Sequence, residues 1–101
     1  MSTIRVRAQE SGGIVTVRAL MSHPMETGAR KDSAGNLVPA HYIETVEAEV
    51  GGNTVMTALW GAGISRNPFF QFQFSGSKGD TLKLSWKDNK GESDSTEAEI
   101  G

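Results

Sequence analysis

Residues 67–74 read NPFFQFQF, and from Phe70 onward apolar and polar side chains alternate strictly. Period-two alternation puts Phe70, Phe72 and Phe74 on one face of a strand and Gln71 and Gln73 on the other. The same pattern recurs at 81–87, TLKLSWK, where Leu82, Leu84 and Trp86 oppose Lys83, Ser85 and Lys87. These two stretches lead to an all-β reading, with the phenylalanine stripe as the clearest inward strand.

Working outward, five more stretches show strand character. Residues 3–7 set Ile4 and Val6 against Arg5 and Arg7, and residues 14–21 set Val15, Val17 and Ala19 against Thr16 and Arg18. Residues 41–50 place Tyr42, Val46, Ala48 and Val50 together, with Glu44 as an exception on the apolar parity. Residues 53–60 carry apolar side chains on both parities, and a more polar last strand ends in Ala98 and Ile100. Gly51-Gly52-Asn53 reads as a tight hairpin turn, because glycine and asparagine tolerate positive φ. Ser75-Gly76-Ser77-Lys78-Gly79 reads as a further hairpin loop. About seven strands with turn signals every 8 to 12 residues or so are the pattern of an immunoglobulin-like antiparallel β-sandwich.

With 101 residues, one domain spanning 1–101 is expected, burying roughly 60 to 70% of its unfolded surface. There is no cysteine, so thiolate metal sites, thiol nucleophiles and thiol-borne substrates are excluded on this chain. Ten basic and twelve acidic residues give a net charge of −2, and the cations are scattered along the sequence, which argues against nucleic acid as a partner. No stretch reaches the ~20 apolar residues of a membrane span, and MSTIRVRAQE lacks the apolar core of a signal peptide.

Between the second and third strands lie roughly 19 residues without clear strand pattern, long for a compact domain. Part of this stretch reads as a protruding hairpin, with Gly28–Lys31 and Leu37–Ala40 pairing around the turn chemistry of 32–36. It opens with SHPMETGARKD at 22–32, which holds a histidine, two carboxylates and two adjacent cations. His23 and Glu26 stand three apart, as do His41 and Glu44, a spacing that suits metal binding on a helix. Here Pro24 biases His23 away from helix, and in a strand residues three apart face opposite sides. The reading is therefore no metal and no cofactor. Serines lack an activating elbow, and 61–66, GAGISR, has arginine where a phosphate-binding turn needs its third glycine. An enzyme is not expected.

The stretch SHPMETGARKD closely resembles the SHPMETG-x-RKD segment of the SoxZ family, subunits of the bacterial thiosulfate-oxidation carrier. Gly63-Ile64-Ser65-Arg66-Asn67-Pro68-Phe69 resembles that family's AIS-x-NP-aromatic segment, and Trp86-Lys87-Asp88-Asn89-Lys90-Gly91 its W-x-D-x-x-G turn. Order and spacing agree across nearly the whole chain. Phe69-Phe70 stands where tyrosine-leucine is common.

The resemblance implies a non-catalytic sandwich that pairs with SoxY, whose C-terminal arm carries sulfur intermediates on a cysteine. It further implies transient docking to a haem enzyme that attaches thiosulfate, a hydrolase that releases sulfate, and a sulfur dehydrogenase. A periplasmic location follows, reached by export bound to SoxY. Combined with the surface pattern, it makes His23, Pro24, Met25, Glu26, Arg30, Lys31 and Asp32 an exposed docking loop, with Arg30 and Lys31 facing anionic groups. Tyr42, Ile43, Val55, Met56, Leu59, Trp60 and Phe69 form the expected SoxY interface. The alternative is a generic immunoglobulin-like interaction module outside sulfur metabolism.

Overall fold

The computed structural model describes residues 3–101; Met1 and Ser2, counted in the expected domain of 1–101, lie outside the described residues. Seven strands follow one another as β1 (Ile4–Ser11), β2 (Ile14–Met21), β3 (Ile43–Val50), β4 (Asn53–Leu59), β5 (Phe69–Ser75), β6 (Thr81–Asp88) and β7 (Ser93–Glu99). They form two antiparallel sheets, ordered β1-β2-β5 and β4-β3-β6-β7. This is an immunoglobulin-like sandwich in which the fourth strand sides with the third.

Alternation explains the core. From the first sheet Val15, Val17, Ala19 and Met21 point inward, and from the second Val46, Ala48, Leu82, Leu84 and Trp86, all at most 5% exposed. Each large aliphatic side chain so buried contributes about 1.5–3 kcal/mol. The β3–β4 hairpin turns through Gly51 and Gly52 at φ 59° and 81°, the left-handed pair that its sequence suggests.

Three expectations change. The 75–79 loop is not a hairpin: it carries the chain from the edge of one sheet to the middle of the other. Strand β3 starts at Ile43 and contains a bulge, its register against β6 shifting between Ile43 and Thr45. The extra residue, Glu44, turns outward and its carbonyl accepts the Trp60 N–H at 2.9 Å. That resets the parity, so Ile43 is completely buried, and its side chain belongs to the core rather than to a partner surface.

The third change concerns β5. Phe70, Phe72 and Phe74 stack in a ladder with centroids 5.8 and 6.3 Å apart, yet all three are only half-buried. Their strand is a sheet edge. On the opposite side of the sandwich β1 meets β7, and Gly101 bonds back to Ala8 and Glu10, with Ile100 plugged into the core. Among the described residues β4 and β5 make no comparable strand-to-strand contact; the 61–68 segment joins them, with Ile64 packed against the core.

Candidate functional site

All three motifs singled out in the sequence meet at one end of the sandwich. Hydrogen bonds run both ways between the first two: His23 N–H donates to Asn67 Oδ1, and Asn67 N–H donates to His23 C=O, both at 3.0 Å. Asn67 adopts φ 49° to do so, a conformation asparagine tolerates. The Asn89 side chain acts as a piece of strand, accepting from Tyr42 N–H at 2.8 Å and donating to Ala40 C=O at 2.9 Å.

At the centre sits Asp88, at the end of β6. One carboxylate oxygen accepts from His41 Nε2 at 2.7 Å and from His23 Nε2 at 3.1 Å, while the other accepts backbone N–H groups of Lys90 and Glu92. Burial pushes this carboxyl toward neutrality, but the hydrogen bonds from His23, His41, Glu92 and Lys90 outweigh it and hold its pKa below the ordinary value. His23 Nδ1 accepts the Met25 N–H at 3.1 Å, which fixes the tautomer with its proton on Nε2, directed at Asp88. Trp86 and His41 close over the His23 ring edge-on, at 5.1 and 4.5 Å.

Met25 completes the floor. Its φ of 48° is unusual for a non-glycine residue, and its buried sulfur lies 3.4 Å from the Ile43 N–H. The strained turn thus supplies an acceptor where the β3 bulge disturbs the ladder.

Among the described residues, the metal-ligating residue types that converge are His23, His41 and Asp88, their ligand atoms within 4.8 Å of one another. Sequence spacing paired the histidines with Glu26 and Glu44 instead. Glu44 is exposed in the bulge, and Glu26 is clamped by Arg30. A cation between the imidazoles must displace the Nε2 proton that the Met25 N–H keeps on His23. As it stands, the triad fixes geometry: its hydrogen bonds join the three segments.

Beyond this floor the chain rises as a hairpin arm. Reciprocal bonds join Glu26 and His41 at its base, and a bridge pairs Lys31 with Leu37 near its tip, close to the hairpin that the turn chemistry suggests. Asp32 caps the tip, its side chain accepting from Ala34 and Asn36 N–H groups. The expected docking loop therefore splits. His23 and Met25 are buried at 4% and 5%, because the imidazole and thioether satisfy interior donors and acceptors. Arg30 is held by Glu26 through Nε and Nη2 at 2.8–3.0 Å, and this pairing lowers the carboxylate's pKa and raises that of the guanidinium. Pro24, Lys31 and Asp32 lie on the surface with Arg30.

The residues expected at the SoxY interface do not form one patch. Met56, Ala58 and Trp60 line the open side between β4 and β5, where Trp60 meets Phe70 edge-on at 5.2 Å, and Val55 packs beside them. Leu59 points out from the second sheet at 82% exposure and Phe69 out from the first at 64%. Tyr42 packs on the core near Asn89, and Ile43 is inside. Alternation hid Phe70, Phe72 and Phe74 from this surface, since only topology shows that their strand is an edge.

The profile of the family described as Sulphur oxidation protein SoxZ matches residues 4–99. The chain belongs to the SoxZ family. Membership gives it a role in the Sox system of thiosulfate oxidation, as the three motifs imply. No curated protein matches the chain in sequence. Among solved structures this SoxZ-family chain is similar to the superoxide reductase (neelaredoxin) of Ignicoccus hospitalis, at TM-score 0.67 and 16% identity over 98% of this chain and 78% of that one. It is also similar to the reduced superoxide reductase (neelaredoxin) of Archaeoglobus fulgidus, at TM-score 0.63 and 21% identity over 100% and 87%. At these identities the likeness is one of fold.

Proposed function

We propose that this SoxZ-family chain is the cysteine-free half of a sulfur-carrier heterodimer. It pairs with SoxY, whose cysteine arm carries the covalent intermediates, and supplies scaffold and docking surface for the enzymes that work on them. The observation that supports the pairing is the seam between β4 and β5: Met56, Ala58, Trp60 and the Phe70–Phe74 ladder, on two strands that each end a sheet, are only half-buried. Such an aromatic-rich apolar strip at two sheet edges suits a lasting interface, whose core is depleted in charge.

In this reading the chain performs no chemistry, and it acts in the periplasm after export with SoxY. The hairpin arm serves docking through its exposed Pro24, Lys31 and Asp32, while the His23–Asp88–His41 cluster anchors its base. Arg30 contributes less than its sequence position suggests, because Glu26 already neutralises it.

Co-expression with SoxY tests the pairing. Wild-type chain should co-elute as a heterodimer, and Met56→Glu, which puts a charge into the half-buried strip, should abolish co-elution while the isolated variant keeps its β-sheet circular dichroism. Co-elution of Met56→Glu at wild-type yield would remove the seam from the interface.

A further inference from the structure

The fold gathers cations that the sequence scatters. On the outer face of the β1-β2-β5 sheet Arg5, Arg7 and Arg18 are all exposed, and the outward positions of these strands hold no carboxylate. Arg7 and Arg18 are directly opposed partners in the β1–β2 ladder. Like charges in that arrangement destabilise a sheet. The opposite outer face manages its charge differently, with Lys83 between Glu49 and Glu97 across neighbouring strands.

We infer that the Arg5–Arg7–Arg18 face is a docking surface for an acidic patch on a protein partner in the sulfur-oxidation system, separate from the seam and from the arm. Among the described residues no carboxylate pairs with these three arginines, whereas Arg30 is clamped. Arg18 Nε–H donates to Gln71 at 3.0 Å, which holds the guanidinium and leaves its terminal nitrogens for an incoming carboxylate. Beside the cations, Leu20 and Phe69 are ladder partners, 40% and 64% exposed. Arginine next to an exposed aromatic is the composition of a protein hot spot. A small anion would leave Leu20 and Phe69 uncovered. Nucleic acid needs a longer positive stripe than three arginines, on a chain of net charge other than −2.

The proposal rests on the chain's place in the sulfur-oxidation system. Its test uses the purified heterodimer with SoxY, titrated by interferometry against each purified Sox enzyme at low and high salt, with thiosulfate and a DNA duplex as further probes. Arg7→Glu is the informative variant. It replaces a repulsive ladder pair with an attractive one, so the urea midpoint should rise while affinity for at least one enzyme falls tenfold or more, with the wild-type binding weakened by salt. A purely structural arginine would give no loss of binding. Affinities unchanged within twofold for every enzyme, or binding only to thiosulfate or DNA, would overturn the inference. Co-elution with SoxY separates the two proposals: if the heterodimer forms and Arg7→Glu changes no affinity, this surface alone is rejected.

Discussion

Asp88 concentrates more of the molecule's local order than any catalytic reading of its neighbours would suggest. It is a carboxylate buried at 4% exposure, answering two imidazoles and two backbone N–H groups at once. Asp88→Asn keeps the shape but removes the charge, and turns an amide N–H toward donors that already fill the site. A loss of about 3 kcal/mol is expected, measured by urea unfolding at neutral pH. The pH dependence has a definite sign. The folded-state pKa lies below the unfolded value, so the unfolded chain binds this proton first. The stabilisation is fully present above about pH 5 and is lost as pH falls below the ordinary aspartate value of about 3.9 and through the folded one. Asp88→Asn should flatten that part of the acid limb. An unaltered limb would show that other carboxylates dominate it. At this scale the sequence was legible only in part: it marked His23, His41 and the Asp88 turn as notable, but gave no sign that 65 residues of chain bring His23 and Asp88 within 3.1 Å.

At the scale of elements, the strands were readable because burial follows period two, and the hairpin arm because its turn chemistry is local. The register of β3 was not. A bulge is one extra residue, and the sequence shows it only as the parity exception at Glu44. Once its place is known, Ile43 moves from the surface to the interior, and Met25 acquires a reason for its strained backbone. The base of the arm makes a further demand at Gly28, whose φ is 89° and where an added Cβ would stand 3.2 Å from the Ala40 Cβ. Gly28→Ala should cost about 1–2 kcal/mol through backbone strain and contact together, seen as a lowered denaturant midpoint. A neutral result would mean that the arm's base relaxes without expense to the sandwich.

For the whole molecule, topology decides which apolar residues need cover. The same alternation appears in β5, an edge, and in β6, a central strand, yet Leu82 and Leu84 are sealed while Phe70, Phe72 and Phe74 are not. Sequence pattern reports which side of a strand is apolar; it does not report how many neighbours the strand has. If the seam binds SoxY as proposed, and only in the folded state, stability depends on that partner. Saturating SoxY should therefore raise the chain's unfolding free energy by about 2.7 kcal/mol at a hundred times the dissociation constant, followed by thermal melting of labelled chain. No shift on adding SoxY would count against the heterodimer itself.

The meeting of the three motifs has a consequence for biogenesis. The arm's base is fixed by groups from residues 23, 41, 67 and 88–89, so no fragment ending before Asp88 can hold the arm in its final pose. A ribosome must deliver residues 23 to 89 before the arm can take its final pose. If the arm serves docking as proposed, a partner that reads it tests the folding of the 23–89 segment at the same time.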